Sequence, residues 1–294
     1  MLDDRDLALF EAARPALRGL AYRILGSLAE AEDAVQDTFL KWQAAERSGI
    51  AVPEAWLTTV CTRRCLDLVK SAHRSRVDYV GPWLPEPVHT ATDDAPAELA
   101  ASVTTAFLLL LDRLTPKERA AYLLREIFDH DYAEVARILG LQEAACRKLV
   151  SRAQAAVRRA KSRQVVPADQ QERLLDAFQL AVNSGATEPL SALLADDIAL
   201  RADGGGKAAA ADRVLRGRDE VLNFLTKVLG SAWPRWRQLR QEINGVLGMV
   251  LFEGEVVRAS ITFGFDESGA LSDIYIMRNP EKFGALTGDI RRLQ

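Results

Sequence analysis

The chain has few cysteines and no long apolar run, and these shortages exclude several classes of protein. Its three cysteines, Cys61, Cys65 and Cys146, are too few and too scattered for the disulfide framework of a small secreted domain. The longest apolar run covers residues 106–111, far below the roughly 18 residues that cross a membrane. The acidic N-terminus lacks the basic start and apolar core of a signal peptide. We therefore expect a cytoplasmic protein with no membrane segment.

Histidine is scarce as well, which limits metal and acid–base chemistry. The three histidines, His73, His89 and His130, all precede the last third of the chain. Cys61 and Cys65 stand one helical turn apart and could share a metal ion, but no second close pair of cysteine or histidine accompanies them. We therefore expect no metal site and no cofactor.

The small net charge of −3 hides alternating acidic and basic segments. An acidic patch comprises Glu30, Glu32, Asp33 and Asp37. A basic patch comprises Arg63, Arg64, Lys70, Arg74 and Arg76, and residues 147–163 form a second basic segment. Blocks of opposite sign indicate two kinds of partner, one basic and one anionic.

Residues 114–161 carry the pattern of a helix-turn-helix. Thr115 and Glu118 form a capping box at the start of a helix that runs to about residue 127. A short helix is predicted over Tyr132–Leu139, and Gly140 ends it in the left-handed conformation that glycine favours. A longer basic helix begins near residue 143. Two helices joined by a tight glycine turn, the second of them basic, are typical of DNA-binding modules.

The second of these helices separates apolar from basic residues at helical spacing. Its apolar stripe comprises Cys146, Leu149, Val150, Ala153 and Val157, and its polar face comprises Arg147, Lys148, Ser151, Arg152, Arg158 and Arg159. A solvent-exposed face on an ordinary helical bundle could show the same basic pattern. The glycine turn and the short preceding helix favour a helix that lies in a DNA major groove, where arginine binds guanine and phosphate.

The N-terminal and C-terminal parts of the chain differ in their predicted secondary structure. Residues 1–76 form three helices, one ending at Gly26 and begun or kinked at Pro15, one from Ser27 to about Glu46, and one from Pro53. Residues 168–294 begin with helices, including one that Asp219 would cap, and end in strands. The strands are predicted over residues 198–202, 235–243, 246–252, 256–265 and 271–277, with turns at Asn244-Gly245 and Glu253-Gly254. This order predicts an α+β domain with a curved sheet wrapped on helices.

Three pieces of the chain, in order, resemble a bacterial RNA polymerase sigma factor of the extracytoplasmic-function (ECF) type. They are AEDAVQDTF at 31–39, AWLTTV at 55–60, and the helix-turn-helix after Leu114-Thr115-Pro116. The ECF type has only the σ2 and σ4 domains. The resemblance therefore implies two all-α domains, σ2 over residues 1–76 and σ4 over residues 97–166, and two partners, core RNA polymerase and promoter DNA.

The same resemblance implies a surface for each partner. Polymerase would bind the second helix at Asp33, Gln36, Asp37, Leu40 and Trp42. The −10 promoter element would meet the third helix at Arg63, Asp67, Lys70, Arg74 and Arg76. The −35 element would meet the basic helix at Arg147, Lys148, Ser151 and Arg152. Arg64 lies near the apolar stripe of the third helix, so we expect its guanidinium to be paired or extended to solvent.

Three further pieces resemble the SigJ-like ECF subgroup, which carries a SnoaL-like extension, here residues 168–294. They are Trp83-Leu84-Pro85-Glu86-Pro87, Asp203-Gly204-Gly205-Gly206-Lys207 and Asn279-Pro280-Glu281-Lys282-Phe283, of which Glu281 and Phe283 replace a common Asp and Leu. The resemblance implies regulation in cis by the extension, in place of a separate anti-sigma protein. We expect all three pieces, apart from Glu281 and Phe283, to be regulatory contact residues between domains.

The linker, residues 77–96, holds prolines that forbid a long helix, together with Tyr79, Trp83 and Leu84. Aromatic residues in a stiff segment indicate a docking surface, although Trp83 could equally cover the edge of a neighbouring domain. Both interpretations require a receiving surface. We expect Trp83 to be the anchor and the 203–207 loop to lie beside it.

Two alternatives follow from the C-terminal sequence. A DNA-binding module could be fused to a small-molecule-binding or isomerase/hydrolase-type domain, with Asp197, Asp203 and Asp212 as candidate acids. None of them has an evident partner, so we expect no catalytic residue, although a pocket for a small ligand remains open. The glycines beside Lys207 do not have the spacing of a phosphate-binding loop, and fit a tight turn better.

Overall fold

The computed structural model describes residues 3–77, 79–90, 104–159 and 166–286. The chain divides into two compact units. The first comprises residues 1–77, 96–99 and 110–160, and the second comprises residues 78–95, 100–109 and 161–294. The linker residues 79–90 therefore belong to the C-terminal unit. Residues 97–103, the start of the region that the resemblance assigns to σ4, lie outside the described residues.

The first unit opens with three helices, α1 (Asp4–Leu25), α2 (Leu28–Ala44) and α3 (Pro53–Val77). Asp3 caps α1 by accepting a hydrogen bond from the backbone of Asp6, so the helix starts well before Pro15, which lies inside it. Gly26, at φ 73°, ends α1 as predicted, and the Ser27 side chain caps α2. A short 3₁₀ turn, Arg47–Gly49, separates α2 from α3.

The helix-turn-helix follows in the same unit. Helix α4 (Thr105–Asp112), of which residues 105–109 belong to the second unit, precedes α5 (Pro116–Tyr122), which continues as one π-helical turn, Leu123–Ile127. Helices α6 (Tyr132–Leu139) and α7 (Glu143–Arg159) complete it, with Gly140 at φ 63° between them. The predicted capping box of Thr115 and Glu118 is present, and Asp131 and Glu134 form a second one at the start of α6, because in each the acceptor side chain and the glutamate three residues later exchange hydrogen bonds with the backbone.

Arg119 on α5 is a buried charged residue that joins α1 to the helix-turn-helix within this unit. Its guanidinium donates hydrogen bonds to the backbone oxygen of Ile24 at 2.6 Å, to that of Leu111 at 2.8 Å and to the Asp112 carboxylate at 2.8 Å. Only 4% of Arg119 is exposed. Since each contact satisfies a buried donor, the arginine fixes the C-terminal end of α1 against the start of the helix-turn-helix.

The second unit contains helices α8 (Ala168–Ser184), α9 (Glu188–Ser191), α10 (Arg218–Asn223) and α11 (Gly230–Ala232). A π-helical segment, Phe224–Leu229, joins α10 to α11, and 3₁₀ turns cover Trp233–Arg235 and Pro280–Lys282. Its strands are β1 (Leu194–Asp203), β2 (Leu215–Arg216), β3 (Arg237–Ile243), β4 (Val246–Glu253), β5 (Val256–Phe265) and β6 (Leu271–Met277).

The six strands form one sheet in the order β2-β1-β6-β5-β4-β3, in which β1 and β6 are parallel and the other pairs are antiparallel. The predicted meander is confirmed for β3 to β6. Strand β1 is longer than predicted, and the two-residue β2 is too short to give a sequence pattern. Asp219 does not cap α10, because the helix starts at Arg218 and Asp219 lies in its first turn.

The sheet buries both of its faces. One face packs on the helices through a core that includes Phe178, Trp233 and Phe263. The other face carries a second apolar cluster of Ile243, Val250, Phe252, Val257, Tyr275 and Met277, which is joined by Leu84, Ala106, Phe283 and Leu286. A linker residue thus completes the core on the outer face. None of the described helices is long and apolar enough to cross a membrane.

Candidate nucleic-acid interface and linker anchor

Helix α7 presents its basic residues on a free face of the helix-turn-helix. Arg147, Lys148, Ser151 and Arg152 are exposed, while Cys146, Val150 and Ala153 are fully buried. Arg147 lies 4.2 Å from the centre of the Tyr132 ring and donates a hydrogen bond to Glu143 at 3.2 Å. These contacts align the guanidinium along the helix face without removing it from solvent.

Helix α3 carries the residues predicted to meet the −10 element, and one of them is engaged within the unit. Arg63 donates hydrogen bonds to the backbone oxygens of Ile138 at 3.1 Å and Arg137 at 3.3 Å. These oxygens belong to the last turn of α6, where the helix dipole favours a cation. Asp67 and Lys70 are exposed and form an ion pair at 2.9 Å. The side chains of Arg74 and Arg76 lie outside the described residues.

The predicted polymerase surface on α2 is only partly present. Asp33 and Gln36 are exposed, and Leu40 is 52% exposed. Asp37 pairs with Arg64, with 2.6 Å between the carboxylate oxygen and Nε, so the expectation that Arg64 is paired is met.

Trp42 corrects the sequence prediction for this surface. The side chain is 1% exposed, its indole nitrogen donates to the backbone oxygen of Asp6 at 3.0 Å, and its ring lies 5.5 Å from that of Trp56. It follows Thr38 by four residues and therefore lies on the inward stripe of α2. Trp42 is a core residue and is not available to a partner.

The C-terminal unit contains a buried carboxylate that holds the linker. Asp203, at the end of β1, is fully buried and accepts three hydrogen bonds from outside its own strand. The donors are the Tyr79 hydroxyl at 2.6 Å, the Leu84 backbone at 2.8 Å and the Lys282 ammonium group at 2.7 Å. Two donors come from the linker and one from the segment after β6, so one carboxylate joins all three pieces identified in the sequence.

Further contacts connect the three donors of Asp203 to one another and to neighbouring residues. Lys282 also donates to the backbone oxygen of Leu84 at 2.7 Å, and its ammonium lies 4.5 Å from the centre of the Trp83 ring. Asn279 donates to the Tyr79 hydroxyl at 3.0 Å. Burial raises the pKa of Tyr79 well above its ordinary value, and the hydrogen bond to Asp203 raises it further. The phenol therefore stays protonated as a donor.

The linker continues from this anchor along the turn between β3 and β4. The backbone and side chain of Asn244 exchange hydrogen bonds with Val88 at 2.8 and 3.1 Å. Thr90 accepts a hydrogen bond from the Gly245 backbone and donates one to Glu242. Residues 79–90 are thus bound at two separate places, as a strap across the outer face of the sheet.

The glycine loop after β1 permits this close approach. A side chain at Gly205, which has φ 56°, would place its Cβ 2.3 Å from the Asn279 amide and 3.0 Å from the Tyr79 hydroxyl. Lys207 forms an ion pair with Glu281 across the loop. Glycine is therefore required at position 205 by space as well as by backbone conformation.

The structure changes the roles assigned within the linker. Leu84, at 1% exposure, is the residue that enters the apolar cluster, whereas Trp83 is half-buried beside Lys282. Pro85, Glu86 and Pro87 are buried, so the whole segment lies against the sheet. Tyr79 was not among the predicted site residues, and its only signal in the sequence is an aromatic ring in a proline-rich segment.

The described residues do not form a metal centre or an acid–base pair in the C-terminal cavity. No group of three described histidine, cysteine, aspartate or glutamate residues could hold a metal ion, and Cys61 and Cys65 are free and buried. Asp203 is committed to the linker, and Asp197 and Asp212 are exposed.

Comparison with known proteins agrees with this arrangement. The family model for Sigma-70 region 2 matches residues 9–75, and that for Sigma-70, region 4 matches residues 104–157. The chain is 35% identical to the ECF RNA polymerase sigma factor SigJ of Mycobacterium tuberculosis, over 98% of this chain and 96% of that one. The chain belongs to the ECF family of RNA polymerase sigma factors.

One further relative and the crystal structure of SigJ show how far the likeness extends. The ECF RNA polymerase sigma factor SigG of M. tuberculosis is 34% identical over 49% of this chain and 45% of its own length. The crystal structure of M. tuberculosis SigJ superposes with a TM-score of 0.75 and 32% identity, over 95% of this chain and 98% of that one. The likeness to SigJ therefore includes the C-terminal sheet domain, and the α+β fold expected of this domain is confirmed. As a sigma factor, the protein binds core RNA polymerase and directs transcription initiation at its promoters.

Proposed function

We propose that the C-terminal domain regulates this sigma factor in cis by holding the linker between σ2 and σ4. The observation that carries the proposal is the fully buried Asp203 carboxylate, which binds Tyr79 and Leu84 of the linker and Lys282 of its own domain. A linker fixed at several points is restricted in its conformations, and σ2 and σ4 are the domains that it joins. No separate anti-sigma protein is needed for such restraint.

Polymerase contacts the exposed part of α2 in this proposal. Asp33 and Asp37 supply negative charge, Gln36 supplies hydrogen bonds, and Leu40 supplies an exposed apolar side chain. Charge of this sign fits a basic partner and increases the rate of encounter. The proposed place of action is the cytoplasm, where the polymerase lies.

DNA contacts two separate helices. Arg147, Lys148, Ser151 and Arg152 on α7 meet the −35 element in the major groove. Lys70 and Asp67, with Arg63, Arg74 and Arg76, meet the −10 element from α3. Arg63 has to leave the oxygens of Ile138 and Arg137 before it can reach DNA, since those bonds occupy its guanidinium.

The C-terminal domain acts without catalysis in this proposal. Its described cavity has no acidic residue or histidine in its lining, and its buried carboxylate at Asp203 already has three donors. Proton transfer requires a group within hydrogen-bond reach of a substrate, and the cavity offers no such general acid or base.

Amide hydrogen exchange of the full chain tests the anchor. Replacing Asp203 with alanine removes the acceptor of the Leu84 amide and leaves Lys282 without its buried counter-ion, so the Leu84 amide should exchange at least about tenfold faster. Asp212→Ala removes an exposed aspartate of the same unit and should leave that exchange unchanged. Equal protection of Leu84 in both variants would disprove the anchor.

A further inference from the structure

A cavity of about 370 Å³ lies between the helix-packed face of the sheet and the helical segments that cover it. Ala202 of β1 and Ile276 of β6 form its floor, and Phe224 and Leu229 form its roof. Trp233 and Trp236 close one side, with their rings stacked 6.1 Å apart at an angle of 28°. The size lies in the range of small-molecule sites, which are mostly apolar with a few polar groups.

Arg278 is the one charged residue among those that line this cavity. Its guanidinium lies 5.2 Å from the centre of the Trp236 ring, and Nε donates to the backbone oxygen of Arg258 at 3.1 Å. Across the described ranges, Arg278 forms no ion pair with a carboxylate. Burial lowers the pKa of Arg278, and the nearby charge of Arg258 lowers it further. A half-buried cation without a counter-ion is a costly arrangement that an anionic ligand would relieve.

We propose that this cavity binds a small organic carboxylate with a flat apolar body, such as an aromatic acid. The Nη groups of Arg278 hold the carboxylate in the bidentate geometry that guanidinium favours, while Nε stays bound to Arg258. Trp236 fixes the plane of the guanidinium from one side. The apolar body lies between the tryptophan pair and the floor at Ala202, where a small side chain leaves room.

The cavity and the linker anchor are formed by neighbouring residues of the same two backbone segments. The backbone nitrogens of Arg278 and Asn279 both donate to the backbone oxygen of Asp203, at 2.7 and 2.9 Å. Ala202 and Arg278 face the cavity, whereas the next residues, Asp203 and Asn279, face the linker. Because Arg278 and Asn279 are consecutive and both donate to the Asp203 backbone, a ligand that moves Arg278 also moves the anchor. The coupling of ligand binding to the linker anchor, the second step of the proposal, rests on the proposed function, whereas the binding site itself does not.

Equilibrium dialysis of the full chain tests the site with 2-naphthoate and its neutral analogue 2-naphthamide. The carboxylate should bind at least about tenfold more tightly than the amide, because a hydrogen-bonded charge pair is worth more than a neutral contact. Arg278→Met should weaken naphthoate binding by about tenfold to a hundredfold and leave the amide unaffected, and Arg278→Lys should retain part of the preference. Arg237→Met is the matched control, since Arg237 stacks on Phe252 outside the cavity.

Several results would overturn the site. They are equal binding of the carboxylate and the amide, unchanged naphthoate binding in a folded Arg278→Met protein, and no binding of benzoate, 2-naphthoate or indole-3-acetate at millimolar concentration. Hydrogen exchange at Leu84 then tests the second step separately. A changed exchange rate with bound naphthoate supports coupling to the linker, whereas an unchanged rate overturns the coupling and leaves the binding site standing.

Discussion

The carboxylate of Asp203 and the ammonium group of Lys282 lie 2.7 Å apart, and the aspartate is fully buried. A buried ion pair is sustained only when further hydrogen bonds satisfy both partners. Here the linker supplies them, through the Tyr79 hydroxyl, the Leu84 amide and the Leu84 oxygen. If the linker leaves, the pair loses these bonds, so linker docking and the stability of the C-terminal domain are linked.

Gly205→Val should loosen the anchor without changing any charged residue. The new Cβ would overlap the Asn279 amide, which must move away from Tyr79, and we expect a loss of about 1–3 kcal/mol in the free energy of unfolding of the C-terminal unit. Chemical denaturation followed by tryptophan fluorescence measures this loss. Gly254→Val is the control, because Gly254 has a similar φ of 60° but no atom near its Cβ. Equal losses for the two variants would mean that backbone strain alone explains the effect.

Tyr79→Phe should change how the anchor responds to alkaline pH. The pKa of Tyr79 is raised in the folded protein above the value of 10.0 in an unfolded chain, so its stabilising contribution is complete below pH 10.0 and declines as the pH rises above it. The wild type should therefore lose stability above that pH more steeply than the phenylalanine variant. Parallel curves from neutral to strongly alkaline pH would contradict the assignment.

Asp37→Lys should weaken binding to core polymerase. The substitution reverses the charge at the proposed contact, but it also breaks the ion pair with Arg64 inside σ2. Arg64→Ala breaks the same pair and leaves the surface acidic, so it separates the two effects. We expect a clear loss of affinity in titrations with Asp37→Lys and little change with Arg64→Ala. Similar affinities for both variants would remove Asp37 from the interface.

Arg147→Ala should reduce transcription from a promoter that the full chain uses. A base-reading contact is worth roughly 1–3 kcal/mol, and Lys148→Ala should reduce binding more evenly across sequences if it contacts phosphate. Arg173→Ala is the matched control, because Arg173 is also exposed on a helix and paired with a carboxylate four residues earlier. A footprint that keeps its −35 protection in the Arg147→Ala holoenzyme would disprove the assignment.

Local signals in the sequence predicted most of the elements but few of the long-range contacts. The cap at Thr115 and the glycines at 26 and 140 act within a few residues, so the helix limits followed directly from them. Strands β5 and β6 were predicted at their observed bounds, and β5 alternates clearly between apolar and polar residues. The parallel pairing of β1 with β6 joins segments about 75 residues apart, and no local pattern encodes it.

The roles of the site residues were also hard to predict where they depend on long-range contacts. The sequence analysis identified the three pieces that form the linker anchor. It did not predict that Asp203 accepts a hydrogen bond from Tyr79, since a bond between positions 124 residues apart depends on the tertiary fold. Trp42 was assigned to the polymerase surface by the family resemblance, whereas its burial depends on the packing of α2 against α1 and α3. Arg63 was assigned to DNA by the same resemblance, whereas its contact with α6 requires the packed unit.

In vitro transcription with core polymerase, run with the full chain and with Asp203→Ala, tests the central claim most directly. The account predicts that output from a promoter used by the wild type shifts in the variant while affinity for core polymerase stays the same. Gly205→Val should shift it in the same direction, and the double variant should add little, because both changes break one contact. Wild-type output from an Asp203→Ala protein whose Leu84 amide is shown to be released would contradict regulation through the linker.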